Sequence, residues 1–297
     1  MSGLKEIRTR ITSITSTQKI TSALKMVSAA KFHKAQETIN RFKPYSKKVL
    51  DVLSQVIPSA PTDTLQKWFN EPKSLENVAL VILTSNSSMC AGFNQNLIKK
   101  VMDEGPLLFK DIWCTNNLSI FCLGKKGNDF FSKRGFNVKL SNTQIISKPN
   151  YETSTAFSTI LIEGYLKGDF DAVFVAYNEF KNTAVQEPTI SRLLPYRFPE
   201  ELKLTKTSSN LVFEPSQEYI MEILIPTALK TFFHEMVLEN SIGEHGARMT
   251  AMHQATENAI ELNKNLKLQY NKARQAAITK EILEIVSGAE ALKAKSS

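Results

Sequence analysis

The stretch that decides the fold is residues 4–31, LKEIRTRITSITSTQKITSALKMVSAAK. It contains neither proline nor glycine, and its first apolar residues recur in steps of three and four, at Leu4, Ile7, Ile11 and Ile14. Such steps place one apolar stripe on a helix that packs against another helix. The sequence therefore predicts a long N-terminal coiled-coil helix.

The apolar stripe of this helix is expected to change register along its length. A second series follows at Ile20, Leu24 and Val27, and a third at Phe32, Ala35, Ile39 and Phe42. Register changes accompany local changes in the winding of a coil. We expect Pro44 to kink or interrupt the helix, and Pro58 with Pro61 to end it.

The C-terminal segment is also predicted to be helical, from a start near Ser216. Its stripe steps by three and four through Met249, Met252, Thr256, Ala259, Asn263, Leu266, Tyr270, Ala273 and Ala277. The register then slips by one residue, to Ile278, Ile282, Ile285, Ala289 and Leu292. Since neither long helix buries its stripe alone, the two are predicted to pair as an antiparallel coiled coil.

The middle of the chain reads as alternating strands and helices. Short apolar runs at 78–84, 119–123, 171–177 and 189–194 are typical of buried strands, and helices are expected at 95–104, 126–134 and 153–167. This alternation predicts a central Rossmann-like α/β domain with a mainly parallel sheet. The predicted division is a helix at 1–58, a linker at 59–76, the α/β domain at 77–210 and a helix at 211–297.

Composition excludes several classes of protein. The 297 residues are 42% hydrophobic and 22% charged, which excludes collagen-like and wholly disordered chains, and three cysteines without a paired motif indicate neither a disulfide framework nor a zinc site. The formal charge of +8 lies in residues 1–58, which hold 11 basic and 3 acidic residues. Such a segment can bind nucleic acid, an anionic membrane or an acidic protein surface. No secretory signal or membrane-spanning stretch is indicated.

Motifs that carry chemistry are weak. The run Gly124-Lys125-Lys126-Gly127 lacks the spacing of a phosphate loop and reads as a strand-to-helix turn. Cys90 has no histidine near it in the middle segment, and His245 with His253 are eight residues apart, which does not suit a metal site. We therefore expect no cofactor, no metal and no independent enzyme activity.

The two ends of the chain resemble the gamma subunits of rotary F-type ATP synthases. The matching segments are KEIR at 5–8, TQKITSALKMVSAAK at 17–31, EHGARMTAM at 244–252, YNKARQ at 270–275 and ITKEILEIVSGA at 278–289. The loop at 85–91 reads SNSSMCA and departs from the Ser-Asp-Arg-Gly-Leu-Cys-Gly usual in that family.

The resemblance implies a mechanical role. In that family the coiled coil passes up the centre of a hexamer of three alpha and three beta subunits, and the globular part stands with the epsilon subunit on the membrane c ring. Rotation couples proton flow to ATP synthesis, or ATP hydrolysis to proton pumping, without a catalytic residue in the rotor. The implied location is peripheral, on the cytoplasmic face of a bacterial inner membrane; the alternative is the matrix side of a mitochondrial inner membrane.

The resemblance also implies which residues make contacts. Those expected to meet the alpha and beta hexamer are Arg8, Lys19, Leu24, Lys25, Arg248, Arg274, Gln275, Ile282, Leu283, Ile285 and Val286. The last four would form an apolar bearing, and the basic residues would meet acidic loops on beta. Phe213 and Glu214 are expected to form the foot that meets epsilon and the c ring.

Two further functions remain as alternatives on the residues alone. One is a basic coiled-coil protein that binds nucleic acid, since the positive charge is concentrated in one helical segment. The other is a nucleotide-dependent α/β enzyme with helical arms, since ligands often bind after the first strand of such a sheet.

Overall fold

The computed structural model describes residues 2–57, 67–72, 74–113, 115–197, 213–214 and 216–295. The chain divides into two compact units. One unit combines Met1–Val27 with Met249–Ser297, and the other is Ser28–Arg248. The division predicted at residues 58, 76 and 210 stays a prediction.

Helix α1, Ser2–Val56, is continuous through Pro44. Pro44 therefore does not interrupt the helix, and the alternative expectation, a kink at Pro44, stays a prediction. A proline removes one N–H donor from a helix, and here burial on both sides of it, at Ile39, Val49 and Leu53, holds the helix in place. The termination expected at Pro58 and Pro61 lies outside the described residues.

The seam of α1 keeps one register along the helix. Its buried and half-buried positions step by three and four through Leu4, Ile7, Ile11, Ile14, Gln18, Thr21, Lys25, Ser28, Phe32, Ala35, Ile39, Phe42, Ser46, Val49 and Leu53. Ile20 and Val27 are 59% and 53% exposed, so the predicted second register is wrong. The seam changes from apolar to polar and small residues instead of moving to another face, which apolar spacing alone misreads.

Helix α6, Gln217–Lys295, is also unbroken, and its start agrees with the expectation near Ser216. The predicted seam from Met249 to Ala277 is confirmed, since each of its positions is buried or half-buried. Thr256 contacts Thr21 and Asn263 contacts Thr15, so residue numbers rise on α6 as they fall on α1. The helices of this unit are therefore antiparallel, as predicted.

The slipped register beyond Ala277 finds no covering helix. All side chains at 278–289 are exposed. The pairing of Thr256 with Thr21 places residues near 277 opposite the first residues of α1, and α6 continues beyond that point. Residues 278–289 thus form an unpaired end of α6, and Leu292, the last member of the predicted register, lies outside the residues whose side chains are described.

The Ser28–Arg248 unit contains a five-stranded sheet in the order β3-β2-β1-β4-β5. Its strands are β1 Val78–Leu83, β2 Leu118–Leu123, β3 Val138–Asn142, β4 Ala172–Phe180 and β5 Gln186–Leu194. All neighbours are parallel except β4 and β5, which confirms the mainly parallel sheet. The connecting helices are α2 Phe93–Phe109, α3 Lys125–Lys133, α4 Gln144–Ser147 and α5 Tyr151–Lys167. The sequence reading missed β3, an edge strand exposed at its centre, and the one-turn helix α4.

Both faces of the sheet are covered, which explains why β1 is apolar at every position. Val78, Leu80 and Ile82 belong to the core on the side of α2. The alternate residues of β1 pack into a second core that includes Leu229 and Phe233 of α6. Helix α6 thus covers one face of the sheet in this unit and is also one of the two helices of the coiled coil.

Candidate functional site

The crevice at the carboxyl ends of β1 and β4 is the place where open α/β sheets usually bind ligands, because the strand order reverses there. In this chain it is filled by protein side chains. The Asn94 side chain accepts a hydrogen bond from the Ser85 amide at 2.8 Å and donates to Ser85 Oγ at 2.7 Å. The backbone N–H of Asn178 donates to Asn240 Oδ1 of α6 at 3.2 Å.

A glycine lets α6 approach this crevice closely. A Cβ at Gly243 would lie 3.2 Å from the Phe93 ring and 3.8 Å from the Asn178 carbonyl oxygen. The Asn178 side chain also donates to the Phe93 carbonyl at 3.3 Å. Helix α6 therefore packs into the crevice where open α/β sheets usually bind a ligand.

The run Gly124-Lys125-Lys126-Gly127 forms a tight strand-to-helix turn, as predicted. Gly124 has φ +121°, and a Cβ there would lie 2.0 Å from the Thr84 carbonyl oxygen. The amide of Gly127 donates to Thr84 Oγ1 at 2.8 Å, and that of Lys125 donates to Asn86 Oδ1 at 3.0 Å. Since these N-terminal donors of α3 already have protein acceptors, the turn does not form a phosphate cradle.

The two described cysteines, Cys90 and Cys122, are free thiols buried in the protein. Cys90 is buried, and the Asn94 amide group donates to its sulfur at 3.2 Å. Burial raises the pKa of the Cys122 thiol to about 12. Cys114 lies outside the described residues. Over the described ranges, no group of three or more His, Cys, Asp or Glu side chains is placed to hold a metal ion.

Arg248 ties α6 to the loop after β1. Its guanidinium lies 2.7 Å from a Glu244 carboxylate oxygen and donates to Ser87 Oγ at 2.9 Å. The side chains of Arg248 and Glu244 are only 11% and 9% exposed. Burial raises the pKa of the Glu244 carboxyl, and the charge of Arg248 opposes that rise. The sequence reading selected Arg248 but missed both partners: Ser87 lies far away along the chain, whereas Glu244 is one helical turn before Arg248 and its spacing could have revealed the pair.

The predicted polar contact residues are placed differently from one another. Arg8, Lys19, Arg274 and Gln275 are exposed, whereas Lys25 and Leu24 are half-buried. Across the described ranges, Arg8, Lys19 and Arg274 form no ion pair, while Arg10 pairs with Glu6 at 2.8 Å. Free cations of this kind are suited to acceptors on a partner. Their contact with a partner stays a prediction.

The unpaired end of α6 is apolar and exposed, and we call Ile282, Leu283, Ile285 and Val286 the tip. These four side chains are 55%, 60%, 72% and 49% exposed, and Ile278 before them is 45% exposed. Soluble proteins rarely expose apolar side chains in such a group, and one that does so marks an interaction surface. The tip is therefore the strongest candidate contact surface of its unit.

The predicted foot is divided between core and surface. Phe213 is half-buried and packs against the core that contains Leu229, whereas Glu214 is exposed. Contact of these two residues with epsilon or a c ring stays a prediction. None of the described helices is both long and apolar enough to cross a membrane.

The fold and these surfaces define a class of protein, an α/β unit joined to an antiparallel helical coil with an exposed apolar end. The chain matches the family model described as ATP synthase over residues 3–292. It is 42% identical over 293 residues to the "ATP synthase gamma chain" of Flavobacterium psychrophilum, covering 99% of this chain and 100% of the relative. It is 41% identical over 295 residues to that of Chlorobium phaeobacteroides, covering 99% of each. The chain belongs to the ATP synthase gamma-chain family.

Solved structures share the fold. A chain in the cryo-EM structure of Euglena gracilis mitochondrial ATP synthase, OSCP/F1/c-ring, rotational state 3, matches with a TM-score of 0.68 and 19% identity, covering 100% of this chain and 96% of that one. A chain in the Tetrahymena thermophila mitochondrial ATP synthase central stalk/c-ring matches with a TM-score of 0.57 and 23% identity, covering 80% and 99%. At these identities the likeness concerns the fold.

Proposed function

We propose that this chain is the central-stalk rotor subunit of an F-type ATP synthase. It would couple proton flow through a membrane c ring to the cycling of catalytic sites on beta subunits, or run in reverse and pump protons. The observation that carries the proposal is membership of the gamma-chain family over nearly the whole chain. The exposed apolar tip at the end of the coil gives this membership a physical counterpart, since the tip needs a partner.

A rotor inside a ring of three identical beta subunits must be asymmetric, so that it contacts each of them differently. Here the asymmetry comes from the unequal ends of the two helices and from the changing character of the seam. The α6 helix runs to Lys295, well past the residues that pair with the start of α1. The seam of α1 passes from Ile14 to the polar Gln18 and Thr21. Each beta subunit would therefore meet a different surface as the coil turns.

The exposed cations suit a contact that forms and breaks during each step. Arg8, Lys19 and Arg274 would meet acidic loops of beta through charge-assisted hydrogen bonds, with Lys25 and the amide of Gln275 beside them. Exposed ion pairs contribute about 0–1 kcal/mol each, so they guide and orient without trapping the rotor. Leu24 and Arg248 are proposed to contact the hexamer near the base of the coil.

The tip would turn in an apolar sleeve formed by the hexamer. Apolar contacts are non-directional, so they hold an axle laterally without fixing its angle. Phe213 and Glu214 are proposed to meet epsilon and the c ring. We further propose that the chain carries no catalytic residue, uses no cofactor, and lies peripherally on the cytoplasmic face of a bacterial inner membrane.

Reconstitution tests the proposal. The full chain is mixed with alpha and beta subunits, and the mass of the product and its ATPase activity are measured. We expect one copy per three alpha and three beta subunits, with multisite ATPase activity that alpha and beta alone lack. A chain that stays out of the complex would contradict the proposal, and salt-dependent DNA binding would then become the assay for the nucleic-acid alternative.

A further inference from the structure

The seam between α1 and α6 is polar at two levels where a coiled coil is usually apolar. In the unit formed by Met1–Val27 and Met249–Ser297, Thr21, Thr256 and Asn263 are only 8%, 7% and 7% exposed. Thr15, opposite Asn263, is half-buried. Thr21, Thr256 and Asn263 belong to the three-and-four seams of the two helices, and Thr15 follows the seam residue Ile14, so these side chains lie against the partner helix.

Each level contains a hydrogen bond across the seam. Asn263 Nδ2 donates to Thr15 Oγ1 at 2.7 Å. The Thr256 hydroxyl lies 2.8 Å from Thr21 Oγ1 and 2.7 Å from the Met252 carbonyl oxygen, so its one hydrogen is divided between a bond across the seam and a bond within α6. Thr15 is free to accept because its own hydroxyl hydrogen goes to the Ile11 carbonyl at 2.8 Å. The levels are six residues apart on α1, which is roughly 9 Å of helix.

The arrangement sacrifices stability. Among the described residues, Asn263 Oδ1 is buried without a hydrogen-bond partner. A buried polar atom without a partner lowers stability, and an apolar residue at this position would avoid that loss. Polar residues at core positions of coiled coils are known to fix register at the expense of stability.

We infer that Thr15 with Asn263, and Thr21 with Thr256, form a register lock that prevents α1 and α6 from sliding past each other. Twisting a two-helix shaft shears one helix along the other. Apolar contacts resist shear weakly because they have no preferred direction, whereas a hydrogen bond is lost within a fraction of an ångström of sliding. The mechanical purpose of the lock, transmission of torque, rests on the proposed function.

The lock predicts a specific pairing elsewhere in the seam. Thr21 lies opposite Thr256, and from this pair the two seams advance by the same steps of three and four residues in opposite directions. The fourth step places Ile7 of α1 opposite Tyr270 of α6. A slip of one helical turn would place Ile7 opposite Ala273 instead. Two cysteine pairs therefore report the register in the full chain: Ile7→Cys with Tyr270→Cys for the native register, and Ile7→Cys with Ala273→Cys for the slipped one.

The experiment compares disulfide formation by these two pairs in two backgrounds. One background is the parent chain, and the other carries Thr15→Val, Thr21→Val, Thr256→Val and Asn263→Leu. We expect the native-to-slipped ratio of disulfide rates to fall at least about fivefold in the second background, because loss of the Asn263–Thr15 hydrogen bond alone represents a factor of about five, with Tm unchanged or higher. The parent without added cysteines gives the background of its natural thiols.

A matched control separates the lock from a simple loss of hydroxyl groups. Thr12 is exposed, and its hydroxyl donates only to the Arg8 carbonyl of its own helix. Thr12→Val should leave the disulfide ratio unchanged. An unchanged disulfide ratio in the variant with all four substitutions would overturn the inference. So would a fall in Tm with loss of both disulfides, because the polar pairs would then be ordinary stabilising contacts.

The same variant distinguishes this inference from the proposed function. The disulfide ratio is measured on the chain alone and does not depend on any partner subunit. In a reconstituted, membrane-bound complex, we expect the quadruple variant to hydrolyse ATP at the parent rate while pumping fewer protons per ATP. Full coupling despite a lost register preference would overturn the mechanical role of the lock.

Discussion

At the scale of the residue, single atoms decide how closely the backbone elements approach. Gly124 is the sharpest case, because it combines φ +121° with a Cβ position 2.0 Å from the Thr84 carbonyl oxygen. We expect Gly124→Ala to lower the free energy of unfolding by about 3 kcal/mol or more, since both the backbone and its neighbour must move. Urea denaturation of the full chain measures this loss.

Gly135 provides the control for that substitution. It also has a positive φ, +77°, but nothing lies within 4 Å of its Cβ position. Gly135→Ala should therefore cost only the backbone strain, about 1–2 kcal/mol. Equal losses for the two variants would show that the contact with Thr84 does not matter.

His234 makes stability depend on pH. Its side chain is 4% exposed, and the rings of Phe42 and Tyr151 lie 4.9 and 5.4 Å from it, centre to centre. Burial lowers the pKa of His234 to about 4. An unfolded chain takes up this proton below about pH 6.5, so the folded state loses stability as pH falls from there toward 4.

The size of that effect follows from the two pKa values. Between pH 7 and pH 5 the parent should lose about 2 kcal/mol more than His234→Phe, which keeps a ring and removes the titration. Unfolding free energies of both chains at the two pH values provide the comparison. The same loss in both chains would mean that His234 is not the responsible group.

Polar pairs between distant residues were the part of the site that sequence patterns did not reveal. Arg248 was selected by resemblance, yet its bond to Ser87 depends on how α6 crosses the loop after β1. Thr21 and Thr256 lie in the seam because the helices meet there, not because either residue is apolar. The spacing of apolar residues predicts which positions are buried, but it cannot identify buried positions that carry polar residues such as Thr21 and Thr256.

At the scale of the element, the long helices and the buried strands were predictable because their burial is regular. The seam from Met249 to Ala277 and the parallel sheet were both confirmed. The second register of α1 was wrong because Ile20 and Val27 are apolar but exposed. Strand β3 was missed because an edge strand with a solvated centre lacks the continuous apolar run of the buried strands.

The exposed apolar tip of α6 leads to a prediction about assembly. We expect Ile282→Asp with Ile285→Asp to leave the fold and Tm of the isolated chain unchanged, because these side chains are already 55% and 72% exposed. Affinity for the alpha and beta hexamer should fall by about a hundredfold or more, since two apolar side chains would no longer be buried. Titration of the chain into alpha and beta subunits gives this value.

A variant with the same chemistry at another site provides the control for the tip. Ile160 on α5 is 56% exposed, close to the value for Ile282. Ile160→Asp should assemble like the parent. If both variants assembled normally with full coupling, the bearing role of the tip would be ruled out.

At the scale of the whole molecule, the chain contains an α/β unit whose crevice is filled by its own side chains and a coil whose end is apolar and exposed. Asn240 and Gly243 of α6 lie in that crevice, so one helix fills the crevice in one unit and forms half of the coil in the other. This economy is consistent with a chain whose work is mechanical.

The most direct test of this account is observation of rotation. The beta subunits of a reconstituted complex are fixed to a surface, and a bead is attached to Leu107→Cys, a position on α2 that is 74% exposed. With ATP present, the account predicts rotation in a single direction that stops when ATP is removed. ATP hydrolysis by the assembled complex without any rotation of the bead would contradict it.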